Sequence, residues 1–151
     1  MWGRRLQTKL VVIGDIDSKS HCIKHLATER SPLFCQAFTT ITHAGDVFNL
    51  WELPHQIPRD SQPYKNFFRE AKAILLCPKD VRSLATFLEQ TDPLRLPIVV
   101  VSSDANVIAE CGNNISHIDT RNPSRHCLDK LGETLLSAQA SPTHHHRTLS
   151  R

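Results

Sequence analysis

The run Lys9-Leu-Val-Val-Ile-Gly-Asp-Ile-Asp-Ser-Lys-Ser20 constrains the fold more than any other stretch of the chain. Lys9 to Ile13 is apolar and β-branched after its first residue, as a strand covered on both faces requires. Gly14 ends the run, and a short polar loop leads to Lys19-Ser20. A helix is then expected from His21 to Thr28, with Cys22, Ile23 and Leu26 as its apolar stripe. Strand, loop, Lys-Ser and helix is the arrangement in which backbone N–H groups and a helix N-terminus cradle phosphate. The ammonium and a Mg²⁺-binding hydroxyl complete it. The loop falls short of that pattern. Gly14-Asp-Ile-Asp-Ser-Lys19-Ser20 is one residue shorter than Gly-x4-Gly-Lys-Ser/Thr and has no second glycine. The plain alternative is that Ser20 caps a helix and Lys19 is solvated.

Strands and helices alternate along the rest of the chain. Ala37–Thr42 and Val47–Trp51 read as strands joined by a turn at His43-Ala-Gly-Asp46, an antiparallel hairpin. Pro54, Pro58 and Pro63 make the next stretch an irregular loop. A short helix is expected over Tyr64–Ala71, a buried strand over Ala73–Cys77 and an amphipathic helix over Asp80–Gln90. Further strands are expected at Pro97–Val101 and Ile115–Ile118, and a last helix from Ser124 to Ser137. Residues 1–8 read as a lead-in, 9–138 as one domain and 139–151 as a flexible tail containing His144-His145-His146. This alternation predicts an α/β fold with a mostly parallel sheet and one antiparallel edge strand. Ligands of such sheets bind at the carboxyl ends of the strands.

Composition narrows the function classes. The chain has 151 residues, 40% apolar, enough for one full-sized core, and a net charge of +3 without a basic face. A dedicated nucleic-acid surface is therefore not expected. No apolar run reaches the roughly 18 residues of a membrane span, and the five cysteines have neither the spacing nor the even count of a disulfide framework. A reducing, cytoplasmic setting is expected. His21 and His25 stand at i and i+4 beside Cys22, a spacing that can chelate zinc. No second pair of ligands accompanies them, so a solvated helix face is expected and neither zinc nor haem.

The ordered series of elements resembles the Ras superfamily of small GTPases. The phosphate-type strand and helix are followed by a hairpin and by Trp51-Glu-Leu-Pro-His-Gln56, which is similar to that family's Trp-Asp-x-Ala-Gly-Gln segment. Tyr64-x-x-Phe-Phe-Arg and the strand after it resemble the next helix and strand of the family. Pro97-Ile-Val-Val-Val resembles the strand before its guanine-reading Asn-Lys-x-Asp motif. The resemblance covers Lys9 to about Ser137. It implies a P-loop NTPase-like three-layer sandwich and a GTP or GDP site with Mg²⁺. Gly14, Asp15, Ser18, Lys19 and Ser20 would hold phosphate, with Ser20 and Glu52 serving the metal. Ser103, Asp104 and Asn106 would read the base together with Thr120 and Arg121, and Gln56 would orient the attacking water.

The departures weaken every part of that site. Asp15 and Asp17 bring carboxylates toward phosphate, and like charges at ~4 Å repel by about 1 kcal/mol even in water. Asn106 stands where the family's base-reading Asp accepts two hydrogen bonds, leaving a donor facing a donor at about 1–3 kcal/mol. His55 replaces the glycine before Gln56. Thr28, Ser31 and Thr39 are the nearest hydroxyls for the first switch, none in a persuasive context. The span from Asn106 to Thr120 is expected to be too short for the family's helix. The chain ends Thr-Leu-Ser-Arg151 with no cysteine after Cys127, so no C-terminal prenyl anchor is expected. The expected function is a GTPase-like regulatory or adaptor domain with weakened or lost nucleotide binding. Its effector or scaffold protein would dock on residues 39–56. A slow but genuine GTP switch is the alternative.

Overall fold

The computed structural model describes residues 7–27 and 38–140. The lead-in Met1–Leu6, the loop at Thr28–Pro32 with Ser31, the start of the second strand at Ala37 and the tail 141–151 lie outside them. The described chain forms β1 (Gln7–Gly14), α1 (Ile16–Leu26), β2 (Thr39–His43), β3 (Asp46–Glu52), α2 (Gln62–Phe67) and β4 (Ala73–Cys77). There follow α3 (Val81–Thr91) with a 3₁₀ turn at Asp92–Leu94, β5 (Ile98–Ser102), α4 (Ala105–Cys111), β6 (Ser116–Asp119) and α5 (Ser124–Ala140).

Six strands build one sheet in the order β2-β3-β1-β4-β5-β6. Every neighbouring pair is parallel except β2 with β3. The hairpin turns on Ala44 and Gly45, both at positive φ (52° and 88°), the backbone sign that a two-residue turn needs to match strand twist.

The apolar run of β1 explains the layering. Leu10 and Val12 face a core shared with Cys22, Ile23 and Leu26 of α1 and with Cys127, Leu128, Leu131 and Leu135 of α5. Val11 and Ile13 face the opposite core, with Leu84 of α3, Val107 and Cys111 of α4 and the partly buried Phe67 of α2. One strand thus feeds two cores because successive side chains alternate. Helices cover both faces of the sheet, and its middle strands are sealed from water. No helix among the described residues is long and apolar enough to cross a membrane.

Three local expectations are corrected. The helix expected at His21 begins at Ile16, with Asp15 as its extended N-cap residue, so Ser18, Lys19 and Ser20 lie inside α1 rather than in a loop. Asp15, Asp17, Ser18 and Ser20 all favour caps, and tertiary contacts select the first. The span from Asn106 to Thr120 does hold a helix. Asp104 caps α4 by accepting from the amides of Asn106 (2.8 Å) and Val107 (3.3 Å), Val107 and Cys111 bury its inner face, and Gly112 at φ 52° ends it. α5 continues to Ala140, past the boundary expected after residue 138.

Gly14 lies at the end of β1, in register with Cys77 of β4. A Cβ there would lie well inside van der Waals contact with the Cys77 carbonyl oxygen, which belongs to backbone and cannot swing aside. Gly14→Ala is expected to destabilise by about 3 kcal/mol or more in urea unfolding, at the upper end of overpacking. Gly132→Ala in α5, whose nearest neighbour would be 3.8 Å away, is expected to be neutral or to stabilise by up to ~1 kcal/mol.

Candidate functional site

The residues expected to bind nucleotide lie at or after the carboxyl ends of β1, β5 and β6. A single residue, Asp15, joins β1 to α1. Its amide donates to the Cys77 carbonyl (3.2 Å), and its carboxylate accepts from the Lys79 amide at 2.8 Å. A phosphate cradle needs an arched loop with several amides pointing inward. Here that loop is absent, and a carboxylate from the chain itself lies at the start of α1. Asp17 adds a second acid in the first turn.

Lys19 is engaged at the carboxyl end of β3. It is buried, 3% exposed, and its Nζ donates to the Leu53 carbonyl at 2.8 Å, with the Glu52 carboxylate 3.7 Å away. An ammonium removed from water requires such partners. Ser20, one residue on, is exposed on the helix surface. Glu52 is about half exposed and faces Lys19. Gln56 and His55 are exposed in the turn after β3, and Thr39, the one first-switch hydroxyl described, begins β2 opposite Leu50.

A cleft of about 200 Å³ does open between α1 and the ends of β4, β5 and β6. It brings together Ser18, Ser103, Asp104 and Thr120 of the expected set. It also draws in Asp17, His21, Cys22 and the pair Pro78-Lys79, which sequence reasoning passed over. Pro78-Lys79 directly follows the buried strand 73–77, so the strand-end rule could have flagged it. Asn106 is not among the lining residues: it lies exposed in the first turn of α4, and the acid after β5 that reaches the cleft is Asp104, whose Oδ1 is engaged as a cap. Arg121 is held out of the cleft by a two-pronged pair with Asp119 at 2.6–3.1 Å.

The histidines of α1 face the segment between β6 and α5. His25 contacts the Asn122 carbonyl (2.8 Å), His21 lies 3.5 Å from the Thr120 hydroxyl, and the two rings stack with centroids 6.2 Å apart. No group of three or more His, Cys, Asp or Glu among the described residues is placed to hold a metal. Cys22, the thiol that lines the cleft, is almost fully buried. The Cys77 thiol is pushed well up by its hydrogen bond with Cys22 and by burial, and burial raises Cys127 as well. Elsewhere, burial pushes Cys111 to about 11. Protonated, enclosed thiols are poor nucleophiles.

The hairpin surface has a different character. Trp51 is half-buried, with Phe38 tilted against it (centroids 4.7 Å), Phe67 edge-on at 6.0 Å and the Lys9 ammonium 4.4 Å from its ring. Beside it runs a side-chain ladder, Thr40 to Asn49 at 2.9 Å and Asn49 to Gln7 at 3.1 Å.

No protein-family profile and no curated protein sequence matches the chain. Among solved structures, it is similar to a glycine-to-serine variant of a protein designated SsGBP, with a TM-score of 0.57 and 14% sequence identity. The match covers 93% of this chain and 58% of that one. At this identity the likeness defines a shared α/β fold.

The Asp119 carboxyl is held below the usual carboxylate range, first by hydrogen bonding from the Arg121 side chain and then by its amide. Its folded pKa is depressed, so the pair stabilises above the unfolded carboxyl's pKa and loses that effect as pH falls through the folded one. Arg121→Ala is expected to move the Asp119 midpoint upward, read by side-chain carboxyl NMR; an unmoved midpoint would contradict the pairing.

Proposed function

We propose that the chain is a small-GTPase-like regulatory or adaptor domain in which guanine-nucleotide binding and hydrolysis are weakened or lost. Its mostly parallel six-strand sheet with an antiparallel strand at one edge supports reading the domain as a P-loop NTPase-like three-layer sandwich whose first loop departs from that template. The observation that carries the reading is the collapse of this loop. α1 starts one residue after β1, Asp15 lies at its N-terminus, and Lys19 is committed to Leu53.

Each change works against a bound nucleotide. Phosphate would meet the carboxylates of Asp15 and Asp17 and lack its ammonium. Guanine would meet Asp104 with one oxygen already engaged, and Gln56 would have no γ-phosphate to serve. What remains is a rigid sheet presenting the 39–56 segment, where Trp51 and the exposed Pro54, His55 and Gln56 form a surface for a partner protein in cytoplasmic signalling or trafficking. Half-buried aromatics beside a cation are typical anchors of such contacts.

Calorimetric titration of folded protein with GDP and GTP, with and without Mg²⁺, is expected to give no heat up to millimolar nucleotide. Mg²⁺-dependent binding at micromolar concentration or tighter would overturn the adaptor reading in favour of a slow GTP switch.

A further inference from the structure

The geometry points to Lys19 as a latch that holds the chain leaving β3 in one arrangement whether or not a nucleotide is present. This rests on the adaptor reading above and specifies how the partner-facing segment keeps its shape.

The latch acts where the sheet ladder stops. β3 pairs with β1 as far as Glu52 opposite Val12. The next residue, Leu53, donates its amide to the Val12 carbonyl at 2.9 Å, and its own carbonyl accepts from the Lys19 ammonium at 2.8 Å. Both backbone groups of Leu53 are thereby fixed, and its side chain packs against the core on the α3 side of the sheet. Lys19 reaches it from α1, which packs on the other side. One hydrogen bond therefore ties the two helical layers together across the carboxyl edge of the sheet. Immediately beyond lie Pro54, His55 and Gln56, all exposed. The direction in which they leave is set at Leu53.

The contact is also hard to exchange for a ligand. The Lys19 side chain is 4% exposed, and its charge is met by a carbonyl and, at 3.7 Å, by Glu52. A phosphate at the start of α1 would have to draw the ammonium away, leaving the carbonyl and the carboxylate without it. Asp15 and Asp17 oppose the same anion. Lys19 is thus a positioning residue. It holds in the resting protein a contact that keeps the 53–56 segment insensitive to nucleotide.

The test is amide hydrogen exchange by mass spectrometry on the full chain, wild type and Lys19→Met, with and without millimolar GTP and Mg²⁺. Methionine keeps an unbranched apolar stem, one atom shorter, and removes the donor. The wild-type peptide over residues 52–57 is expected to exchange at the same rate in both conditions. In Lys19→Met it is expected to exchange at least tenfold faster, with β4 (Ala73–Cys77) still protected. Equal rates in the two proteins, or a nucleotide-dependent change in the wild type, would overturn the latch.

If Lys19→Met loses β4 protection and so fails to fold, native acetylation of the wild type decides. Lys19 is expected to react at least tenfold more slowly than the exposed Lys24, and equal rates overturn the proposal. The two readings fail separately. Nucleotide binding with an unchanged 52–57 peptide removes the adaptor reading alone, whereas a silent titration with rapid 52–57 exchange removes the latch alone.

Discussion

The connection between β1 and α1 is as short as a strand-to-helix junction can be, and much of the carboxyl edge of the sheet follows from it. Without a side chain at Gly14, β1 can lie against Cys77 of β4, and Asp15 is at once bound to that strand through its amide and to Lys79 through its carboxylate. α1 then has no slack. Its start fixes its rotation, which buries Cys22, Ile23 and Leu26 against the sheet and carries Lys19 toward the end of β3. A longer glycine-rich loop would place the ammonium near its own amides. Here the same residue types serve cohesion between layers.

The consequence is an edge whose polar groups largely satisfy one another. Asp15 pairs with the Lys79 amide, Lys19 with Leu53, Asp104 with the first turn of α4, and Arg121 with Asp119. Groups that bind a ligand well are ones whose own protein leaves them partly unmet. The hairpin side keeps an aromatic and cationic character around Trp51.

How much of this could be read from residues alone depended on how local the cause was. The strand Ala73–Cys77 was legible to the residue because an unbroken apolar run between helical patterns has one interpretation. The hairpin turn followed from Gly45, and Asp80 marked α3 because its carboxylate accepts from the Ser83 amide three residues on. The start of α1 was not legible: the partner that claims Asp15 is the amide of Lys79, 64 residues away. α4 was missed because it is short and its cap is Asp104, while attention fell on Asn106. Of the candidate site, Ser18, Ser103, Asp104 and Thr120, named through the family resemblance, line one cleft. The diversion of Lys19 was not legible, since nothing near it in the chain names Leu53.

The hydrogen bond from Lys19 to the Leu53 carbonyl organises this edge of the sheet. Its most direct measurement is the scalar coupling across that hydrogen bond, between ¹⁵N at Lys19 Nζ and ¹³C′ at Leu53, in labelled protein. A detectable coupling is expected, with the Lys19 ammonium resonance unmoved when GTP and Mg²⁺ are added. Absence of the coupling, or its loss together with a shift of the ammonium on adding nucleotide, would contradict that role of Lys19.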